Sequence, residues 1–482
     1  MKERRMKENL KKGISRRKFL STTVSTGAMA GFLGVVGNCV PPLKNGDKQM
    51  SLKTIRIKSV DSNFEREPLI RPFGFKGGYV TEEWQVAAML ESDSGIKEIG
   101  LGSQSVLWSD AQVFASYSKP ACDAMMYTML EYALQKTKSL TFRDPIELLE
   151  ALLPHVYEYG RKITQNKKLR KTFALNVLVA LDNAAWLVYA KENGFNSFDE
   201  MIPPLYRDAL SCRHEKIASI PLMTYAVPIT EIKKAVDDGY FFLKIKIGQP
   251  GTQQEMLDKD KKRIEEIHKA IGNKEIPYTK NGRIPYYFDA NGRYENKETL
   301  KRLLGHAEKI GALNQIAILE EPFPEECQVD VSDLGVRIAA DESAHTSEDA
   351  ERRIQAGYSA IAIKAIAKTL SMTLKIVKSA HEKNVPCFCA DLTVNPILVD
   401  WNKNVAARIA PFPGLGLGLL ESNGHQNYAN WEKMKSYHPC AGASWTITKN
   451  GVFDLNEDFY EKSGGIFMKS EHYLNLFNIK KS

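Results

Sequence analysis

The sequence predicts an α/β protein in which a parallel TIM-type β/α barrel follows an α+β domain. Three observations predict it. The chain has 482 residues, more than one hydrophobic core usually organises, so two folded parts are expected. From about residue 217, eight short apolar runs rich in β-branched residues alternate with charged, amphipathic stretches. Five successive runs also end in Lys, Asp, Glu, Asp and Lys, and a barrel gathers its chemistry at those ends. A doubly wound open sheet would share the alternation, but no Gly-x-Gly-x-x-Gly loop follows the first run.

The elements are expected in this order. The first twenty residues hold nine Lys/Arg against two Glu, which accounts for +7 of the chain's net charge of +8. The remainder is nearly neutral, so a basic groove for nucleic acid is not expected. Ser15-Arg16-Arg17-Lys18-Phe19-Leu20, followed by an apolar, small-residue stretch over 21–40, reads as a twin-arginine signal peptide occupying 1–40. The stretch is too short and Gly-rich for a good membrane span. The expected partner is the twin-arginine export machinery and the expected location the periplasm. Gly37-Asn38-Cys39 leaves lipid anchoring at Cys39 as an alternative.

Residues 41–52 read as a polar linker. The α+β domain is expected over 53–215, with strands at 53–60 and 84–102 joined by a Gly- and Pro-rich loop at 71–78. Helical patterns fill 110–193. The clearest is 173–191, stopped by Asn193-Gly194. The barrel is expected over 216–443, with strands at 217–227, 241–247, 284–289, 315–320, 336–341, 360–364, 385–391 and 415–421. Helices are expected at 231–238, 255–270, 297–310, 347–356 and 372–383. Residues 444–482 are expected to pack back on the first domain. The cysteine spacings resemble no zinc site; Cys387-Phe388-Cys389 reads as small buried packing on one strand face.

The strand ends carry the chemistry. The second run ends in Lys244-Ile245-Lys246, the third in Asp289-Ala290-Asn291, the fourth in Glu320-Glu321-Pro322, the fifth in Asp341-Glu342-Ser343 and the sixth in Lys364. A barrel brings Asp289, Glu320 and Asp341 to one mouth, where unpaired carboxylates would repel one another. A hard dication resolves this, and oxygen-only ligands argue for Mg²⁺ over Zn²⁺. Lys244 and Lys246 share a strand face. A second ammonium and a dication nearby should lower the pKa of Lys246, making it a base, with Lys364 on the opposite side of the substrate. That arrangement suits removal of a proton α to a carboxylate. Each motif alone has an ordinary reading as a solvated edge, a loop or an N-cap; their order along five successive strands decides the matter.

These motifs resemble the enolase superfamily, specifically its mandelate racemase and muconate lactonising branch. Ala180-Leu181-Asp182-Asn183-Ala184 resembles the helix that closes that family's capping domain. The resemblance implies a modified (β/α)₇β barrel under an α+β cap. It implies Asp289, Glu320 and Asp341 as Mg²⁺ ligands, Lys246 and Lys364 as acid/base pair, and a small carboxylate as substrate. It makes the segment 71–80 a mobile lid and 103–110, with Trp108, a second one; an ordinary turn and a core tryptophan are the alternatives. The seventh run ends in Asp391-Leu392-Thr393 without a His, which favours the two-lysine subgroup of cycloisomerases, N-acylamino-acid racemases and dipeptide epimerases.

At the eighth strand end the sequence is Leu420-Glu421-Ser422-Asn423, where dipeptide epimerases carry Asp-x-Asp. Lys244, Asn291, Asp391, Glu421 and Tyr225 are expected to bind substrate or support the site. A cap on the next helix is an alternative role for Asp391. Specificity is expected from Phe73, Phe75, Tyr79 and Tyr225. A racemase or epimerase is the first expectation and a dehydratase or cycloisomerase the second. A non-catalytic exported binding protein is the third, and a homo-oligomer is an open possibility.

Overall fold

The computed structural model describes residues 52–75 and 78–479. The expected signal peptide at 1–40, Cys39 and nearly all of the linker lie outside them. The chain first builds an antiparallel sheet from Ile55–Phe75, Gly78–Ser92 and Lys97–Gln104, with Thr141–Phe142 on the outer edge of the first strand. The first two strands form one long hairpin. The expected loop at 71–78 is therefore only its tip, and pairing continues from Phe73↔Val80 to Phe75↔Gly78. A register shift between Pro68 and Phe73 absorbs the two prolines that broke the strand pattern in sequence. The expected strand 84–102 is two strands, divided at Gly95, whose φ of +90° supplies the turn.

Helices Lys119–Thr137, Pro145–Ile163 and Lys171–Asn193 cover this sheet. Asp144 starts the second by accepting from the amides of Ile146 and Glu147, with Pro145 following it. The third helix is buried on nearly every face and stops at Gly194, φ +74°. Ala180 and Ala184 let the strand Lys97–Gln104 press onto it. A Cβ at Gly100 would come within 2.1 Å of the Ala180 carbonyl oxygen. The Asn183 side-chain amide secures the contact by donating to the Leu101 carbonyl at 2.9 Å.

Eight parallel strand segments follow. The first is split at Pro221 into Lys216–Ile220 and Leu222–Met223. Then come Leu243–Lys246, Tyr286–Asp289, Ile316–Glu320, Ile338–Ala340, Ala360–Ile363, Cys387–Cys389 and Gly418–Glu421. Each pairs in parallel with the next. The split strand closes the barrel, since its first half pairs with the eighth strand and its second half with the second. The fold is a modified TIM-type barrel with an α+β capping part. Helix Pro396–Ala406, after the seventh strand, was not expected: residues 397–406 are buried all round, so the amphipathic period is absent.

The C-terminal segment starts on the barrel before it reaches the capping part. A hairpin of Thr448–Lys449 and Val452–Asp454 adds antiparallel to Lys216–Ile220. The split at Pro221 leaves that half-strand an edge that the second barrel strand does not fill, and the hairpin fills it. Only beyond it does the chain also touch the capping part, where the Asn63 side chain donates to the Leu476 carbonyl at 3.1 Å.

Candidate active site

The C-terminal ends of the barrel strands open into a cavity roofed by Leu69, Phe73 and Val80 of the hairpin and by Leu107 and Trp108. Period-2 alternation turns Lys244 and Lys246 to the same face of the second strand. Lys246 Nζ donates to Asp289 Oδ2 at 2.5 Å and Asn291 Oδ1 at 2.7 Å. Lys244 Nζ lies 2.8 Å from Glu320 Oε1, 3.1 Å from Asp289 Oδ2 and 3.2 Å from Glu421 Oε2. From the sixth strand, Lys364 Nζ stands 2.5 Å from Asp341 Oδ2. Eight of the expected residues are thus linked by direct polar contacts within two groups, one around Asp289 and one around Asp341.

The backbone is bent to achieve this. Asn291, Glu321 and Thr393, just past the third, fourth and seventh strands, have φ of +46°, +40° and +59°. Side-chain-bearing residues rarely adopt such angles, at about 1–3 kcal/mol each, and they cluster at functional sites. Glu321, the second Glu of Glu-Glu-Pro, accepts from the amides of Asp341 and Ser343 at 2.8 and 3.2 Å. It thereby sets the turn that presents Asp341 and Glu342.

Charge crowding divides the carboxylates. Burial opposes ionisation of Asp289, but Lys244 and Lys246 outweigh it and hold its pKa well below the usual range. Lys364 and Lys368 do the same for buried Asp341. Burial and then the Asp289 charge push Glu320 well above it. Oxygens of Glu320, Asp341 and Glu342 lie within 4.8 Å of one another, and Lys244 Nζ links Asp289 Oδ2 to Glu320 Oε1 at the border of this group, at 3.1 and 2.8 Å. Glu342 Oε2 is buried without a hydrogen-bond partner among the described residues. An all-oxygen donor set containing one carboxylate that resists ionisation and one unused oxygen fits a hard dication such as Mg²⁺.

Asp391 lines the cavity, and its Oδ2 accepts from the Asn423 amide at 2.7 Å. It does not cap the next helix; Asn395 does, accepting from the Leu398 amide. Glu421 lines the cavity beside it and accepts from the Asp391 amide at 3.1 Å. Tyr225 is not among the residues lining the cavity; its hydroxyl donates to the Ile247 carbonyl at 2.9 Å, just past Lys246. Tyr79 is 71% exposed and absent from the lining of the cavity that Phe73 roofs. The Phe75 side chain lies outside the described residues.

Four side chains were not foreseen. Tyr287 donates its hydroxyl to Glu320; it shares a strand face with Asp289, so period-2 alternation could have found it. Lys368 donates to the Asp341 and Ala344 carbonyls at 2.8 and 3.0 Å. Glu83 enters the cavity from the capping sheet. Gln85 joins that sheet to the barrel loops, donating to the Tyr428 hydroxyl at 2.8 Å and accepting from Asn395 at 3.0 Å.

Residues 229–415 match the model of the enolase C-terminal domain-like family. Over that span the chain is similar to the enolase superfamily. Solved structures of this superfamily extend the likeness across both parts of the fold. An enolase superfamily member from Listeria innocua has 18% identity and a TM-score of 0.60, covering 89% of this chain and 98% of its own. A mandelate racemase/muconate lactonizing protein from Herpetosiphon aurantiacus has 16% identity and a TM-score of 0.57, covering 83% and 96%. A dipeptide epimerase from Cytophaga hutchinsonii, complexed with Mg and D-Ala-L-Val, has 17% identity and a TM-score of 0.55, covering 78% and 89%. At such identities the structural likeness speaks for the fold. No curated protein matches the sequence.

Proposed function

We propose that this chain is an enolase superfamily enzyme, a Mg²⁺-dependent epimerase or racemase acting at the carbon α to a carboxylate, on an amino-acid derivative or dipeptide. One observation carries the reading. Lys246 and Lys364 come from the second and sixth strands, and each ends on a different carboxylate beside the same acidic group. Two amines so placed can address opposite faces of one substrate carbon. The Mg-bound dipeptide epimerase from Cytophaga hutchinsonii, alike in fold, supports the choice of metal and substrate class.

Asp289, Glu320 and Asp341 would hold the ion, with Glu342 beside them. Bound there, Mg²⁺ would supply positive charge to the substrate carboxylate and so acidify the neighbouring C–H. Lys246 takes the proton from one face, and Lys364 returns one to the other; for the opposite enantiomer the roles exchange. Lys244, held among three carboxylates, positions them and balances their charge. The Leu69, Phe73 and Trp108 walls exclude water from the reacting carbon.

The test is incubation of N-acylamino acids and dipeptides with enzyme and Mg²⁺ in D₂O. Deuterium should enter at the α-carbon together with inversion. Lys246→Ala and Lys364→Ala should each abolish inversion, while each single variant retains exchange of one enantiomer only. A keto acid or a cyclised or ring-opened product without an epimer would assign a lyase or cycloisomerase instead. Equal performance of both variants and the parent would remove catalysis altogether. Export by residues 1–40 is part of the proposal. Replacing Arg16 and Arg17 by Lys should leave the protein in the cytoplasmic fraction.

A further inference from the structure

Glu83 sits on the strand Gly78–Ser92 of the capping sheet and lines the same cavity as the lysines. It is only 4% exposed. Ser105 Oγ donates to its Oε1 at 3.3 Å, while Oε2 is buried with no hydrogen-bond partner among the described residues. The charges that reach it are Lys119, Asp123 and Glu82, all from the capping part, and Lys119 is already paired with Asp123 at 2.7 Å. The nearby Tyr428 hydroxyl is committed to the Thr393 carbonyl. A carboxylate left half-satisfied in a buried cavity costs free energy that a donating ligand would remove.

The character of that ligand follows from the cavity's charge. Among the described residues, six carboxylates line it, Glu83, Asp289, Asp341, Glu342, Asp391 and Glu421, against three lysines. Were all six ionised, a dication and a substrate carboxylate together would remove only one of the three excess negative charges, an imbalance the cavity meets by holding protons until a cation arrives. Burial pushes Glu83 up to about 8, and burial with the Glu421 charge pushes Asp391 up to about 7. Leu69, Phe73 and Val80 lie along the same wall, where an aliphatic stem could be covered while its charged end reaches a carboxylate.

We propose that Glu83 anchors a substrate subsite for a cationic nitrogen, an ammonium or guanidinium, carried by the carboxylate substrate. This rests on the carboxylate reading of the site and deepens it, since it names the second recognised group. Glu83 is a specificity residue: it acts on binding and touches no reacting atom. The cation has two chemical sources, the α-ammonium of a dipeptide or the side chain of a basic residue.

Two matched pairs separate them. L-alanyl-L-norleucine and propionyl-L-norleucine differ by an α-ammonium. N-acetyl-L-lysine and N-acetyl-L-norleucine differ by a side-chain ammonium. Binding of all four to the full chain with Mg²⁺ is measured by titration calorimetry at pH 7, in two buffers of different ionisation enthalpy. At least one cation-bearing member should bind tenfold or more tighter than its partner. It should also release a proton that the neutral member does not. In Glu83→Gln the ratio should fall close to one and the extra proton release should vanish.

The pair that shows the preference identifies the source. No preference in either pair, or a preference that survives in Glu83→Gln, overturns the subsite. Should that variant not fold, proton release by the parent protein decides, and its absence counts against Glu83. Preference without α-deuterium exchange would uphold the subsite and sink the proton-abstraction reading; exchange without preference would do the reverse.

Discussion

The ammonium of Lys364 stands 4.4 Å from the centre of the Trp108 ring. The tryptophan is buried, and it arrives on a one-turn helix, Val106–Ser109, from the capping part. It thus covers a lysine at the end of the sixth barrel strand. Burial disfavours the Lys364 ammonium, but Asp341 overrides this and the net direction is upward. The ring face adds to the upward pull, by about 1–2 kcal/mol in a desolvated setting.

Replacing the ring should therefore ease deprotonation of Lys364. In Trp108→Leu, the limb of the pH–rate profile that reports this lysine should move to lower pH by about one unit. Trp108→Phe should fall between the variant and the parent. The rate of α-deuterium exchange between pH 6 and 10 is the measurement. An unmoved profile with unchanged folding would mean that Trp108 only fills space.

Arg170 fixes where that tryptophan lies. Its guanidinium donates to the Trp108 and Ser109 carbonyls at 2.9 and 3.1 Å, to Glu325 at 2.6 Å, and to the Glu342 carbonyl at 3.0 Å. One side chain so spans the capping part and the fifth-strand turn of the barrel. Arg170→Met leaves several buried carbonyls and Glu325 without their donor, so a loss of roughly 3–5 kcal/mol is expected in denaturant titrations. Arg170→Lys should recover little of it, because an ammonium cannot reproduce the planar fork. Glu325→Gln should cost less, since Glu325 is partly exposed. A double-mutant cycle gives the coupling.

The sequence made the strand-end motifs readable because barrel geometry maps period-2 alternation directly onto a shared mouth. Lys244, Lys246, Asp289, Glu320, Asp341 and Lys364 needed only strand order to be brought together. Arg170 and Glu83 had no such signal. Each acts across the boundary between the two parts, and nothing local in the chain records which residues meet there. Tyr225 follows the split first strand, and its hydroxyl is committed to the Ile247 carbonyl just past Lys246, a contact that strand order does not reveal. The hairpin tip was hidden by Pro68 and Pro72, which ordinarily end strands and here flank or fall within a register shift, and by Gly74, which pairs regularly with Tyr79.

Metal dependence can be tested without turnover. A dication bound among Glu320, Asp341 and Asp289 stabilises the native state by mass action, about 2.7 kcal/mol at a hundredfold excess over Kd. Mg²⁺ should therefore raise Tm by several degrees, and chelator should reverse it. Asp341→Asn and Glu320→Gln should abolish the rise. A Tm insensitive to Mg²⁺ in the parent protein would count against the assigned ligand set.

Glu83 should leave a mark on stability as well as on binding. Its pKa is about 8 in the folded chain, raised chiefly by burial, against an ordinary value of 4.5. The folded state holds this proton more tightly than the unfolded one. Below about pH 4.5 both states carry it and the group is neutral to stability. Between about 4.5 and 8 the unfolded chain loses the proton first, so the Glu83 contribution to stability falls as pH rises, and the loss is complete above 8. A glutamine at this position cannot ionise and removes the slope. Glu83→Gln should accordingly have a higher Tm than the parent at pH 8, by a few degrees, with the gap closing toward pH 5. Thermal unfolding at the two pH values, without ligand, measures it. A gap that is equal at both would show that the substitution acts through packing rather than through the buried charge.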